Sequence, residues 1–198
     1  MLRIRVRVAM GVSFVRQILI VLLLKAFMMQ APLAAENGQL SGAGLIHQMK
    51  FGVLAHDVGD LWSGFRRENG VDLNIEVVFA PSLNVLGGAL RPALGGSINT
   101  NGDTSKGYFD ILWQYNFSSG IFVVTGVGAA VHDGKLHATH VDRKALGSRV
   151  LFHIPLEVGY FLTSRTTLSV YFDHISNAYT AQQNEGMDTV GARLGYIF

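Results

Sequence analysis

Three stretches of this chain alternate apolar and polar residues so strictly that an extended strand is the only regular structure able to use them. In 71–80, Val71, Leu73, Ile75, Val77 and Phe79 fall on one side and Asp72, Asn74 and Glu76 on the other. In 108–117, Phe109, Ile111, Trp113, Tyr115 and Phe117 oppose Asp110, Gln114 and Asn116. In 149–160, Val150, Phe152, Ile154, Leu156 and Val158 oppose Arg149, His153 and Glu157. Successive side chains of a strand project to opposite faces, so this period of two sets one apolar face against one polar face. Five further segments read as strands between turn residues: 49–57, 89–99, 121–131, 166–176 and 187–198. The last of them carries Val190, Ala192, Leu194, Tyr196 and a terminal Phe198 on one face.

Eight strands of about ten residues match the length and even count of a transmembrane barrel. The expected fold is therefore all-β, an eight-stranded antiparallel transmembrane β-barrel. The connections support it: those at 81–88, 118–120 and 161–165 are short, and those at 58–70, 100–107, 132–148 and 177–186 are mostly longer. Short turns at one end and long loops at the other are the outer-membrane pattern. A soluble barrel would turn its apolar face inward, and alternation alone does not distinguish the two. The aromatic outer positions and Phe198 favour the membrane, hence the cell outer membrane as location. Asp72, Glu76, Asp110, Arg149, His153, Glu157 and Arg193 are then expected to fill the lumen, since eight strands enclose side chains rather than a pore.

The first thirty-five residues stand apart. Arg3, Arg5, Arg7 and Arg16 precede an apolar run from Ile18 to Met29, and small residues from Ala31 to Ala35 close it. This reads as a secretory signal peptide over 1–35, with a single barrel domain over 36–198; the apolar run is short for a membrane-spanning helix. Five of the 16 basic residues lie in the leader, which leaves eleven against 14 acidic ones, a balance of −3. The basic pI thus belongs to the leader, and no nucleic-acid partner is expected. With no cysteine in an exported chain, stability must come from strand pairing and packing.

The seventh strand and the eighth also carry polar residues on the wrong face. His174 and Ser176 share parity with Leu168, Val170 and Phe172, and Asp188 shares parity with Val190, Leu194 and Tyr196. All three therefore point toward lipid, where polar groups destabilise a barrel according to depth. Asp188 is ten residues above Phe198, roughly 25 Å at ~3.3 Å per residue and ~40° of tilt. That places the three at the outer-leaflet rim. Residues i and i+2 lie ~6.6 Å apart on one face, within reach of an imidazole and a hydroxyl. A hairpin centred near Ala181 sets His174 across from Asp188. Ser176 is then the nucleophile, His174 the base and Asp188 the orienting acid of an acyl transfer, with Asn177 or nearby main-chain N–H groups as oxyanion donors.

The run His174-Ile175-Ser176-Asn177-Ala178, followed by Asn184-x-Gly186, Asp188 and a barrel-closing strand, resembles the lipid A 3-O-deacylase family (PagL). Glu68-Asn69-Gly70-Val71-Asp72-Leu73-Asn74-Ile75-Glu76 is similar to that family's second-strand region, and the likeness spans roughly residues 49 to 198. The resemblance implies an eight-stranded outer-membrane esterase that hydrolyses the 3-linked acyl ester of lipid A in the outer leaflet. It implies His174, Ser176 and Asp188 as catalytic and Asn177 as oxyanion contributor, with no cofactor and no metal. Two positions depart from the family pattern: Asp188 stands where Glu is usual, and Tyr179 where Gly is usual.

Other features carry less. His132, His137 and His140 share a loop at spacings that no helix fixes on one face, so with Arg143 and Lys144 they read as a solvated rim. Trp62 and Trp113 read as membrane-interface anchors. The rival functions are a non-enzymatic structural or adhesion barrel and a phospholipase. The sequence leaves a homodimer open.

Overall fold

The computed structural model describes residues 44–64 and 66–198; the expected leader lies outside them. Nine strands follow in order: β1 (Ile46–Ala55), β2 (Val71–Phe79), β3 (Leu83–Val85), β4 (Gly88–Asn99), β5 (Lys106–Asn116), β6 (Ile121–His132), β7 (Val150–Phe161), β8 (Thr166–Ser176) and β9 (Met187–Ile197). Each long strand pairs antiparallel with its neighbours, β2 pairs with β4, and β1 pairs with β9, so eight strands close on themselves. The eight expected strands are all present. The first begins three residues earlier than its pattern suggested, and the short β3 is an addition. It extends the turn between β2 and β4 by pairing Leu83 with Leu90 and Val85 with Gly88. Three residues at a turn are too few for a period to be read.

The inside–outside question is settled by exposure. Phe51, Leu73, Leu94, Phe109, Val127, Phe152, Val170 and Leu194 are all at least half exposed, while their strand neighbours Lys50, Asp72, Asp110, His153 and Arg193 are buried. The apolar face looks outward along every stave, as a bilayer requires and water would not tolerate over so large a band. Trp113, Tyr115, Phe117, Tyr160, Tyr196 and Phe198 gather at the end where both chain termini of the barrel lie, forming one aromatic girdle. The long loops crowd the opposite, outer end.

The lumen is a connected set of charges. Arg193 Nη1 lies 3.2 Å from Glu76 and 3.6 Å from Glu157, Nη2 donates to the Tyr108 hydroxyl at 2.9 Å, and the guanidinium sits 3.1 Å over the Tyr171 ring. Lys50 bridges the same two carboxylates at 3.2 and 2.7 Å. Nearer the outer end His153 pairs with Asp110 at 2.8 Å, and Lys106 pairs with Asp173 while donating to Thr189 at 3.1 Å. Charges removed from water are tolerable only when paired and hydrogen-bonded in this manner. Of the residues expected in the lumen, Arg149 is the exception. It precedes β7, is exposed, and donates to the His132 and Gly134 carbonyls from the loop. Its alternation with His153 was real, but the strand begins one residue later.

The outer loops have a polar core of their own. His56, just past β1, is buried between Asp72 at 2.8 Å and Glu68 at 3.2 Å. Burial alone would lower the His56 pKa, but the bonds to Asp72 and Glu68 outweigh it and hold the ring near 9. Glu68, despite its own burial, is drawn down to about 2 by His56, Thr104 and the Lys144 main chain. Because the folded loops bind the proton of His56 more tightly than the open chain, its contribution is full below the ordinary value of 6.5 and is lost as pH rises through about 9. Glu68 contributes above its ordinary 4.5 and loses that only as pH falls through about 2. Chymotryptic cleavage near Leu61 and Trp62 should therefore accelerate as pH climbs past 9, with the barrel intact. In His56→Gln that step should vanish, and a wild-type rate flat from pH 6.5 to 10 would contradict the assignment.

Candidate active site

The hairpin of β8 and β9 has the register that sets His174 opposite Asp188. Imidazole Nδ1 lies 2.6 Å from Asp188 Oδ1, so the shorter acid spans the gap that the cross-strand pairing leaves. The other carboxylate oxygen accepts two main-chain bonds, from Trp62 at 2.7 Å and from Ser63 at 2.6 Å. Main-chain N–H donors of this kind favour the charged carboxylate. With Nδ1 committed, Nε2 is the remaining ring nitrogen, and among the described residues no hydrogen bond joins it to Ser176. Ser176 is the last residue of β8, two beyond His174 on the same outer face, and it is half-buried.

Both residues have the lipid-facing parity, yet His174 is buried and Asp188 is fully so. The cause is the loop after β1. It folds over the outside of the sheet, anchored by a main-chain bond from Val58 to the Asp188 carbonyl at 2.8 Å. The Trp62 ring then stacks on the imidazole, centroids 4.7 Å apart and planes 21° off parallel, with Phe172 beyond it at 6.3 Å. Trp62, expected as an interface anchor, is exposed at the outer rim and in addition roofs the imidazole. The roof leaves a cleft of about 240 Å³ whose walls include Trp62, Ile154, His174, Ser176, Ala178, Tyr179 and Gly186. The cleft lies on the barrel's outer wall, near its outer rim.

Beyond Ser176 the chain turns sharply. Ala178 and Tyr179 both take left-handed backbone, φ 52° and 64°. Side chains other than Gly, Asn and Asp resist this region, at a cost on the order of 1 kcal/mol or more each. Tyr179, which replaces the expected glycine, thus keeps the conformation a glycine would favour. Asn177 pins this turn from below. It is buried, its Nδ2 donates to the Leu146 and Gln183 carbonyls at 2.9 and 2.5 Å, and its own N–H donates to Asn184 Oδ1 at 3.1 Å. Its side-chain donors are therefore spent on the loop.

Gly186 closes the far wall. A Cβ there would lie 2.8 Å from His174 Cε1 and 3.1 Å from the Ile175 carbonyl. The imidazole is held on one edge by Asp188 and on one face by Trp62, so it has little room to yield. Gly186→Ala should displace the imidazole with the barrel still folded and lower any turnover that depends on it by about tenfold or more, because groups held in register lose their alignment. Wild-type turnover in that variant would show the wall to be softer than the packing implies.

Several participants escaped the sequence. Asp188 is held by the main-chain N–H groups of Trp62 and Ser63, which leave no signature in residue type. The adjacent apolar pair Leu61-Trp62 in that loop was the available hint. The expected rim is solvated only in part: His132 ends β6, buried against the Ser148 carbonyl at 2.7 Å, and Lys144 is buried beneath the loops, while His137 and His140 are exposed.

A closed eight-stranded barrel with an apolar outer wall, a charged and filled lumen and a polar cleft at its outer rim defines an outer-membrane β-barrel protein. The family model for lipid A 3-O-deacylase (PagL) matches residues 70–197, well over half of the chain, and the chain belongs to that family. Among solved structures, the outer membrane enzyme PagL shares the fold, with a TM-score of 0.59 and 18% identity over 76% of this chain and 99% of that one. The outer membrane protein Ail of Yersinia pestis (TM-score 0.48, 9% identity, 78% and 100% covered) is also similar. So is Neisserial surface protein A (TM-score 0.49, 12% identity, 80% and 100% covered). The search of curated proteins found no match.

Proposed function

We propose that this protein is an outer-membrane esterase that removes the 3-O-linked acyl chain of lipid A by serine-type acyl transfer. The observation that carries the reading is the His174–Asp188 pair at 2.6 Å, with His174 and Ser176 lining one cleft on the outer wall. Membership of the deacylase family supplies the substrate class.

In this reading His174 Nε2 takes the proton as Ser176 Oγ attacks the ester carbonyl carbon. The resulting oxyanion meets the main-chain N–H groups of Ala178 and Tyr179 in the strained turn, and Asn177 contributes by fixing that turn. Collapse breaks the acyl–oxygen bond, and the imidazolium returns its proton to the departing sugar hydroxyl. Water, deprotonated by the same imidazole, then cleaves the acyl-serine and frees the fatty acid. Asp188 stays ionised throughout and holds the ring tautomer in which Nε2 is the base.

The deciding experiment incubates purified protein in detergent with lipopolysaccharide and reads the mass of lipid A. Loss of one 3-hydroxy fatty acid is the expected result. An unchanged mass from a folded barrel would favour a structural or adhesion role, and lysophospholipid released from added glycerophospholipid would point to a phospholipase.

A further inference from the structure

Lys144 takes no part in the chemistry above, yet it is the most completely enclosed cation among the described loop residues. It lies in the outer loop between β6 and β7 and is 1% exposed. Lysines in surface loops are ordinarily solvated, so a buried one calls for a cause. Its ammonium has three N–H donors and meets three acceptors: the Gly64 carbonyl at 2.9 Å, the Gly186 carbonyl at 2.9 Å and the Asp57 carboxylate at 3.2 Å.

Two of those partners line the cleft. Gly64 directly follows the Trp62–Ser63 segment whose N–H groups hold Asp188. Gly186 is the residue at which a Cβ would meet His174 Cε1. One ammonium therefore joins the two walls at the residues next to those that touch the His174–Asp188 pair. The flanking main chain braces the same walls: Lys144 N–H donates to Glu68 at 3.0 Å, and Ala145 N–H donates to Glu185 at 2.8 Å. A lysine serving only as the counter-ion of Asp57 would need one of these bonds.

The geometry points to Lys144 as a positioning residue for the proposed hydrolysis, clamping the Trp62 loop to Gly186 so that Asp188 and the imidazole stay aligned. The assignment rests on the hydrolase reading, and its test separates the two. Trp113→Phe leaves Trp62 as the sole tryptophan reporter at the site. In that background Lys144→Met is combined with Asp57→Asn, so that no buried carboxylate is stranded.

The barrel should keep its heat-modifiable mobility while Trp62 becomes more accessible to iodide quenching. At the same time kcat should fall by about 100-fold with KM little changed, the mark of lost alignment rather than lost binding. Lys144→Gln, which keeps donors for the two carbonyls, should fall between, and it carries the same two readings if the Met variant does not fold. A parent protein that leaves lipid A intact sinks the hydrolase reading. Unchanged quenching, or kcat within twofold of an active parent, overturns the role of Lys144.

Discussion

Ser176→Ala and His174→Ala should each reduce release of the 3-hydroxy fatty acid by about 10³-fold or more, and the double variant should be no worse than either alone. Nucleophile and base act as one unit, so removing one forfeits nearly all that the pair contributes. Asp188→Ala should cost less, because in the proposed mechanism its work is orienting and charge-stabilising. Its carboxylate also receives the N–H groups of Trp62 and Ser63, so that variant should loosen the loop as well. Ser176→Ala retaining a tenth of wild-type turnover would remove the hydroxyl from the mechanism, and full activity in Asp188→Ala would remove the acid. The reading is lipid A mass at matched amounts of folded barrel.

Arg193→Met should destabilise the barrel by about 3–5 kcal/mol, measured as a shift in the urea midpoint in detergent or lipid. Methionine fills much of the volume but leaves Glu76 and Glu157 with Lys50 as their remaining cation, and it uncovers the Tyr171 ring. Adding Glu76→Gln should restore part of the loss, because the surplus buried carboxylate is then gone. Charges that touch one network do not act additively, so the double variant reads the coupling directly. An Arg193→Met barrel as stable as wild type would mean that Lys50 alone neutralises the lumen.

The barrel was legible because its physics repeats along the chain. Each strand that sets Val, Ile, Leu or Phe against Asp, Asn or Glu states the same two-sidedness, and the closing pair β1 and β9 follows once eight such strands exist. What alternation could not decide was which side faces the lumen; that came from burial of Lys50, Glu76 and Arg193 against exposure of Phe51, Ile75 and Leu194. Lys50 and Lys106 went unnoticed because a single lysine in an apolar strand resembles an edge or a boundary until its carboxylate partners are in space.

The pairing of His174 with Asp188 was legible for a different reason. A hairpin's centre fixes every cross-strand partner, so one number, residue 181, implied the contact. The roof over it was not legible. Trp62 reaches the imidazole only because the Val58–Asp188 and Trp62–Asp188 bonds fold a long loop over the sheet, and those donors are main chain. Tyr179 shows the converse. The residue type argued against a left-handed turn, and the pins on Asn177 imposed it anyway.

A cleft cut into the outer wall of a barrel, and not into its bore, changes how a substrate would arrive. Under the proposed hydrolysis, molecules anchored in the same leaflet would reach Ser176 by sliding in the plane, and cleaved products would leave the same way, so encounter would be two-dimensional. For a hydrolase so placed, turnover tracks the mole fraction of substrate at the surface. Diluting mixed micelles with inert detergent should slow it, while diluting the whole suspension with buffer should not.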